Sequence, residues 1–203
     1  PGSESPAPAS SSVEAPAPAR PVATNEIAEA VDQGKVVARF DGRMEYGPRA
    51  LGNRSILAAP TDPDINDWLN KRLQRTEFMP FAPAVLADCA ADIFDNFHMD
   101  QALKFMTITL DVKPEWRQRI PAVCHIDGTA RPQLLDPINT PSFHKIVSCY
   151  KKLSGLPVLI NTSFNMHEEP IVCTPEDAIR TFNATGLDLL VLGNYLVRKK
   201  SIL

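Results

Sequence analysis

The chain has 203 residues, 44% of them hydrophobic and 22% charged, with a formal net charge of −3. That suits one generous domain with a substantial core, of ordinary soluble globular composition. The acidic balance excludes a surface that attracts nucleic acid or an anionic membrane as a whole, so any anion site must be a local cluster of basic groups.

Residues 1–24 are Pro, Ala and Ser with almost no large apolar side chains, and read as a disordered tail or linker. The opening Pro1-Gly2-Ser3 reads as a cloning scar, so the chain is expected to be a piece of a larger polypeptide. The folded domain is expected over residues 25–203. "NEIAEAVDQG" predicts a short helix with Asn25 as N-cap, Ile27 and Val31 on one face, and a stop at Gly34. "KVVARF" predicts a strand and "SILAAP" a second apolar segment. Between them lies "DGRMEYGPRALGNRS". "DPDINDWLNKRL" predicts an amphipathic helix with Asp62 as N-cap and Pro63 at its first position. "FMPFAPAVL", broken by prolines, reads as a loop entering a strand. "KFMTITLDV" and "AVCHI" read as strands. "SFHKIVSCYKKLSG" is a helix ending at Gly155, and "LPVLIN" a buried strand. "TPEDAIRTFNATG" is a helix with a Thr cap, Pro at its first position and acids in the first turn. "DLLVLG" and "YLVRKK" are closing strands. Strands and helices mix without a strict repeat, which predicts an α/β or α+β domain around a twisted mixed sheet.

The 4 cysteines are widely spaced, with no C-x-x-C pair, and are expected to be buried reduced thiols. None of the 4 histidines belongs to a metal-binding pair; His167-Glu168-Glu169 lacks its second His. No metal site is therefore expected within the chain. No apolar run approaches the roughly 20 residues that span a bilayer, and the cytoplasm is the default location.

Three polar stretches carry the chemistry. The chain has 9 glycines, and Gly42, Gly47 and Gly52 stand in one stretch with Arg43, Arg49 and Arg54. Gly47 and Gly52 have the spacing of a phosphate-binding loop, but Asn53 stands where that loop needs Lys. Glycines let a backbone approach an anion and expose its N–H groups, and guanidiniums supply planar forks for phosphate. The alternative is a surface loop whose arginines pair with Asp41 or Glu45. In "VLINTSFN" a buried strand runs into Asn161, Thr162, Ser163 and Asn165, the strand end where open α/β sheets place ligands. Simple strand-end capping is the alternative there. In "HIDGTARPQ", Asp127-Gly128 reads as a hairpin turn between two strands, with His125 and Arg131 beside it. The residues alone thus point to an arginine-rich pocket for a phosphorylated ligand, with no nucleophile–base pair.

"GRMEYGPRALGNRSILA", "RTEFMPFAP", "HIDGTARPQ", "GLPVLINTSFN", "EEPIVCTPEDAI" and "DLLVLGNYLV" resemble the C-terminal domain of the O-carbamoyltransferases. These include nodulation-factor and antibiotic carbamoyltransferases, and the likeness runs from about Gly34 to Lys199. It implies a YrdC-like fold that binds ATP, Mg²⁺ and carbamoyl phosphate and forms carbamoyl adenylate. An N-terminal domain of the family, holding Fe or another metal on histidines, then passes the carbamoyl group to a hydroxyl of a natural product or sugar. That domain, fused or as a separate subunit, is the implied partner. The resemblance assigns catalysis to Arg54, Arg75, Arg131 and Ser163. It assigns ligand binding to Arg43, Arg49, Ser55, Lys71, Asn161, Thr162 and Asn165. The family's frequent Lys-x-Arg-Glu and pre-proline Arg are replaced by Leu73, Arg75, Thr76 and Met79, with Lys71, Arg72 and Glu77 nearby. That departure keeps a second reading open, a non-catalytic subunit that binds nucleotide or a partner. RNA binding, a third reading, is disfavoured by the net charge and by an aromatic content of 7%.

Overall fold

The computed structural model describes residues 20–21, 23–75 and 81–199. Of the expected tail, residues 1–19 and 22 lie outside the described residues, as do Thr76, Glu77 and Met79; Arg20–Pro21 instead form a two-residue strand paired with Tyr195–Leu196, and Thr24 opens the first helix. In chain order the elements are β1 (Arg20–Pro21), α1 (Thr24–Asp32), β2 (Val37–Phe40), β3 (Arg54–Ala58), α2 (Ile65–Arg72), β4 (Ala82–Leu86), α3 (Ala90–Ile93) and β5 (Leu110–Asp111). They continue with α4 (Pro114–Arg117), β6 (Thr129–Ala130), β7 (Gln133–Leu135), α5 (Pro141–Ser154), β8 (Val158–Ser163), α6 (Pro175–Ala184), β9 (Leu189–Leu192) and β10 (Tyr195–Arg198). Eight of the strands form one mixed sheet in the order β1-β10-β9-β2-β3-β8-β4-β7. The pairs β2–β9 and β4–β7 are parallel, and the other neighbours antiparallel. This is the mixed α/β architecture expected from the pattern of elements.

Consecutive residues are buried through β3, β4 and Val158–Asn161 of β8, so the centre of the sheet is covered on both faces. Helix α1 packs on α5 through Ile27, Ala28 and Val31 against a stripe of Phe143, Ile146, Val147 and Tyr150. Helix α5 ends at Gly155 in the left-handed conformation, as its sequence predicts. Helix α6 has a full capping box, Thr174 Oγ1 accepting from Asp177 N while the Asp177 carboxylate accepts from Thr174 N.

Several local expectations are corrected. Helix α1 starts at Thr24, and Asn25 lies inside it, donating to Glu29 across one turn. Helix α2 starts at Ile65 with Asp64 as its cap; Asp62 instead accepts Asp64 N in the preceding turn. Most of "KFMTITLDV" is not strand. Asp100 accepts from Ala102 N and opens a 3₁₀ turn over Gln101–Phe105; Leu110–Asp111 pair with β6, and Val112 makes an isolated bridge with Phe94. "AVCHI" is not a strand either, because Pro121 begins a 3₁₀ turn that ends at Val123. The Asp127-Gly128 turn exists, Gly128 N donating to His125 O at 2.9 Å, but it joins no hairpin. The four cysteines are free, and only Cys89 is fully buried.

Strand β8 sits between β3 and β4 and carries the site. Its polar end pairs Ser163 with Ser55 and Asn161 with both Leu57 and Ala82.

Candidate functional site

A cavity of about 430 Å³ opens where the end of β8 meets the loop before β3, the last turn of α2 and the segment between β6 and β7. Its most constrained member is Arg75. One nitrogen of its guanidinium donates to Thr162 Oγ1 at 2.9 Å. The other donates to Ser163 O at 2.7 Å, Asn165 O at 3.0 Å and Asn165 Oδ1 at 2.9 Å. Ser163 Oγ donates to the same Asn165 Oδ1 at 2.6 Å, and Asn165 Nδ2 donates back to Met166 O and Glu169 O. The turn after β8 is thus folded around a guanidinium, which fixes the rotamers of Thr162, Ser163 and Asn165 at the cavity wall.

Arg49 and Arg131 line the same cavity in a different state. Among the described residues neither has a hydrogen bond or an acidic partner. Burial, and then the charge of Arg49, push the Arg131 guanidinium below its ordinary pKa. Arginine keeps its charge at any accessible pH, so two cations line one cavity.

Beneath them lies a buried pair of amides. Asn161 Nδ2 donates to Gln133 Oε1 at 2.7 Å and to Ala50 O at 3.1 Å, and Gln133 Nε2 donates to Leu51 O at 2.6 Å. The two backbone carbonyls can only accept, so they set the orientation of both amides. Asn161 Oδ1 is left buried with no partner among the described residues. It is an acceptor that a ligand N–H or O–H would satisfy.

The cavity therefore brings together Arg49, Arg75 and Arg131 with Asn161, Thr162, Ser163 and Asn165. It does not include Arg43, Arg54, Ser55 or Lys71. Arg43 is exposed and contributes its carbonyl to Asn53 Nδ2. Arg54 is 4% exposed. Its guanidinium donates to Asp41 O, Asn53 O and Gly42 O and lies 3.5 Å over the Phe40 ring. Ser55 is wholly buried in β3. Lys71 lines a different cavity. His125 bonds Thr129 Oγ1 through Nδ1 at 2.9 Å.

The glycine–arginine loop is thus mostly self-satisfied. Its N–H groups at Leu51 and Asn53 are taken by Glu45 Oε1, at 2.8 and 2.6 Å, where a phosphate would otherwise sit. Gly52 has φ +129°, and a Cβ there would lie 2.6 Å from Phe143 Cδ1. This glycine serves the approach of α5 rather than of an anion. Only Arg49 of the loop's three arginines reaches the cavity.

A family model described as the carbamoyltransferase C-terminus matches residues 28–199. The chain belongs to this carbamoyltransferase family. Nodulation protein NolNO of Sinorhizobium fredii is 41% identical over 178 residues, covering 87% of this chain and 26% of that protein. The chain spans between 25% and 33% of the length of such curated relatives. Two solved structures share the fold. Full-length HypF in a phosphate- and nucleotide-bound form superposes with a TM-score of 0.57 at 19% identity, over 83% of this chain and 20% of HypF. P. abyssi Sua5 superposes at 0.51 and 12% identity, over 80% of this chain and 44% of Sua5. The YrdC-like fold implied by the sequence resemblance is therefore the fold of this carbamoyltransferase domain. Among its described residues no helix is long and apolar enough to cross a membrane.

Several residues of the carbamoyltransferase cavity carry no clear mark in the sequence. Asn70 sits on the polar side of α2, and Met106 follows a 3₁₀ turn in the left-handed conformation. His167 and Glu168 also line the cavity, although their motif reads only as a failed metal site.

Proposed function

We propose that the cavity binds ATP, with Mg²⁺ on its phosphates, together with the carbamate derived from carbamoyl phosphate, and that it forms carbamoyl adenylate. The observation that carries this reading is the pair Arg49 and Arg131, two guanidiniums without partners facing one cavity. A carbamate oxygen attacks the α-phosphorus, the bond to the β-phosphate oxygen breaks, and pyrophosphate leaves. Several negative charges converge in that step, and fixed cations stabilise it without reorganising. Arg49 and Arg131 hold the phosphates. Arg75 holds Ser163 and Asn165 in place beside them. The unpartnered Asn161 Oδ1 accepts from the carbamoyl amide. Among the described residues Glu168 is the one carboxylate of the lining, so the donor set suits phosphate, and the Mg²⁺ belongs to the nucleotide.

Transfer to a hydroxyl of a natural product or sugar falls to a separate metal-bearing domain. A hydroxyl is a poor nucleophile without a base or metal, and the cavity offers no nucleophile–base pair among the described residues. A second reading, nucleotide binding without turnover, draws on Leu73. It stands where the family often has Lys, and it is wholly buried in the core.

The test is pyrophosphate release from ATP and carbamoyl phosphate by this chain alone. Release that falls at least tenfold in Arg131→Ala is expected, one charged contact being worth about 1.5–3 kcal/mol. Binding of ATP without any release would establish the second reading instead. Carbamoylated acceptor, read by mass spectrometry, should appear only when the metal-bearing domain is added.

A further inference from the structure

The turn that ends α2 borders two cavities. Asn70 and Arg75 face the one already described, whereas Lys71, Arg72 and Gln74 line another of about 900 Å³. Its opposite wall is formed by residues 184–189 and by Arg198 and Lys199 at the end of β10. Among the described residues five cations line it, Lys35, Lys71, Arg72, Arg198 and Lys199, against the single carboxylate of Asp188. Among the described residues none of the five forms an ion pair. Asp188 Oδ2 is already engaged, accepting from Val36 N at 2.8 Å. In a chain with net charge −3, five like charges gathered in one concavity repel one another unless an anion joins them.

Two of these cations are held in place. The Arg72 guanidinium lies 5.0 Å over the Trp68 ring. It also occupies the space a side chain at Gly186 would need, its Cζ lying 2.5 Å from the position of an added Cβ. Gly186 does not have a left-handed φ, so its backbone does not demand glycine; the seat of Arg72 does. Lys199 Nζ donates to Thr185 O and lies 5.1 Å over the Phe182 ring. Burial, and then the Arg72 charge, push this ammonium below its ordinary pKa. A nearby anion would oppose that shift.

We infer that this groove is a second anion site, one that takes the phosphate chain of a small oligophosphate. Its volume is that of a small-molecule site. A single-stranded nucleic acid would need an open aromatic face for its bases. Trp68 is covered by the Arg72 guanidinium and partly buried against the core, so it offers no open face of that kind.

The probe is inorganic tripolyphosphate, titrated by calorimetry at low salt into the 203-residue chain. The chain carries Arg131→Ala to disable the first cavity, so failure of the adenylation reading leaves this test intact. Saturable binding is expected. Arg72→Gln and Arg198→Gln should each weaken it about tenfold, the size of one charged hydrogen bond. Gly186→Ala should weaken it comparably with every charge retained, because it evicts the Arg72 guanidinium. Arg198 is exposed, so its variant decides the matter should Gly186→Ala fail to fold. The inference is overturned if tripolyphosphate does not saturate, or if these variants bind it as tightly as their parent. It is equally overturned if a single-stranded oligonucleotide binds the groove and tripolyphosphate does not compete.

Discussion

The base of the glycine–arginine loop and the cavity beside it use the same side chain in opposite ways. At the loop base, Arg39 and Arg54 are buried among acceptors. Arg39 donates to Gly52 O, Asp41 Oδ2 and Ser142 Oγ, and Arg54 to three backbone carbonyls. In the cavity, Arg49 and Arg131 find no acceptor among the described residues. The difference lies in geometry. Antiparallel pairing of β2 with β3 brings the carbonyls of residues 41, 42, 52 and 53 to a common end, and any guanidinium there is consumed by them. Arg49, at the far side of the loop, points away from that end. An arginine-rich sequence therefore becomes a binding site only where the fold withholds backbone partners.

This contrast can be broken from the structural side first. Arg39→Ala should cost the most, about 3–4 kcal/mol in urea unfolding, because it empties a buried site and strands Asp41 and Gly52 O. Gly52→Ala should follow at about 2–3 kcal/mol. Its φ of +129° resists any side chain, and the added methyl meets Phe143, which must shift. Gly47→Ala, at φ +120° but with open space around it, should cost less. Arg54→Ala should lower stability by about 2 kcal/mol, since three carbonyls lose a charged donor, yet leave ATP affinity per folded molecule unchanged. A normal stability with lost ATP binding would return Arg54 to the site. Smallest of all, Arg131→Ala should shift stability by no more than about 0.5 kcal/mol, because among the described residues its guanidinium has no hydrogen bond or ion pair to lose.

Much of the frame was readable from residue order. The run "LPVLIN" became β8 because five successive apolar residues suit a strand covered on both faces. The polar residues after it became the cavity wall, because a chain leaving a buried strand must satisfy its last turn with side chains. "KFMTITLDV" misled. Its alternation matches a strand, but Phe105 and Ile108 are exposed and Asp100 commits the segment to a 3₁₀ turn. Arg39 gave no sign, being one charge inside an apolar run, and only the neighbouring acceptors make its burial tolerable. The loop arginines were legible as a cluster but not by direction. Residue type says that a guanidinium seeks acceptors, and only the fold decides whether they come from the chain or from a ligand.

The most direct test of this division is a calorimetric titration of Mg²⁺–ATP into three proteins: the unaltered chain, Arg131→Ala and Arg54→Ala. The proposed function predicts that Arg131→Ala weakens ATP binding at least tenfold without loss of fold, whereas folded Arg54→Ala binds as the unaltered chain does. Equal affinity in the unaltered chain and Arg131→Ala would contradict the assignment of the cavity as the nucleotide site.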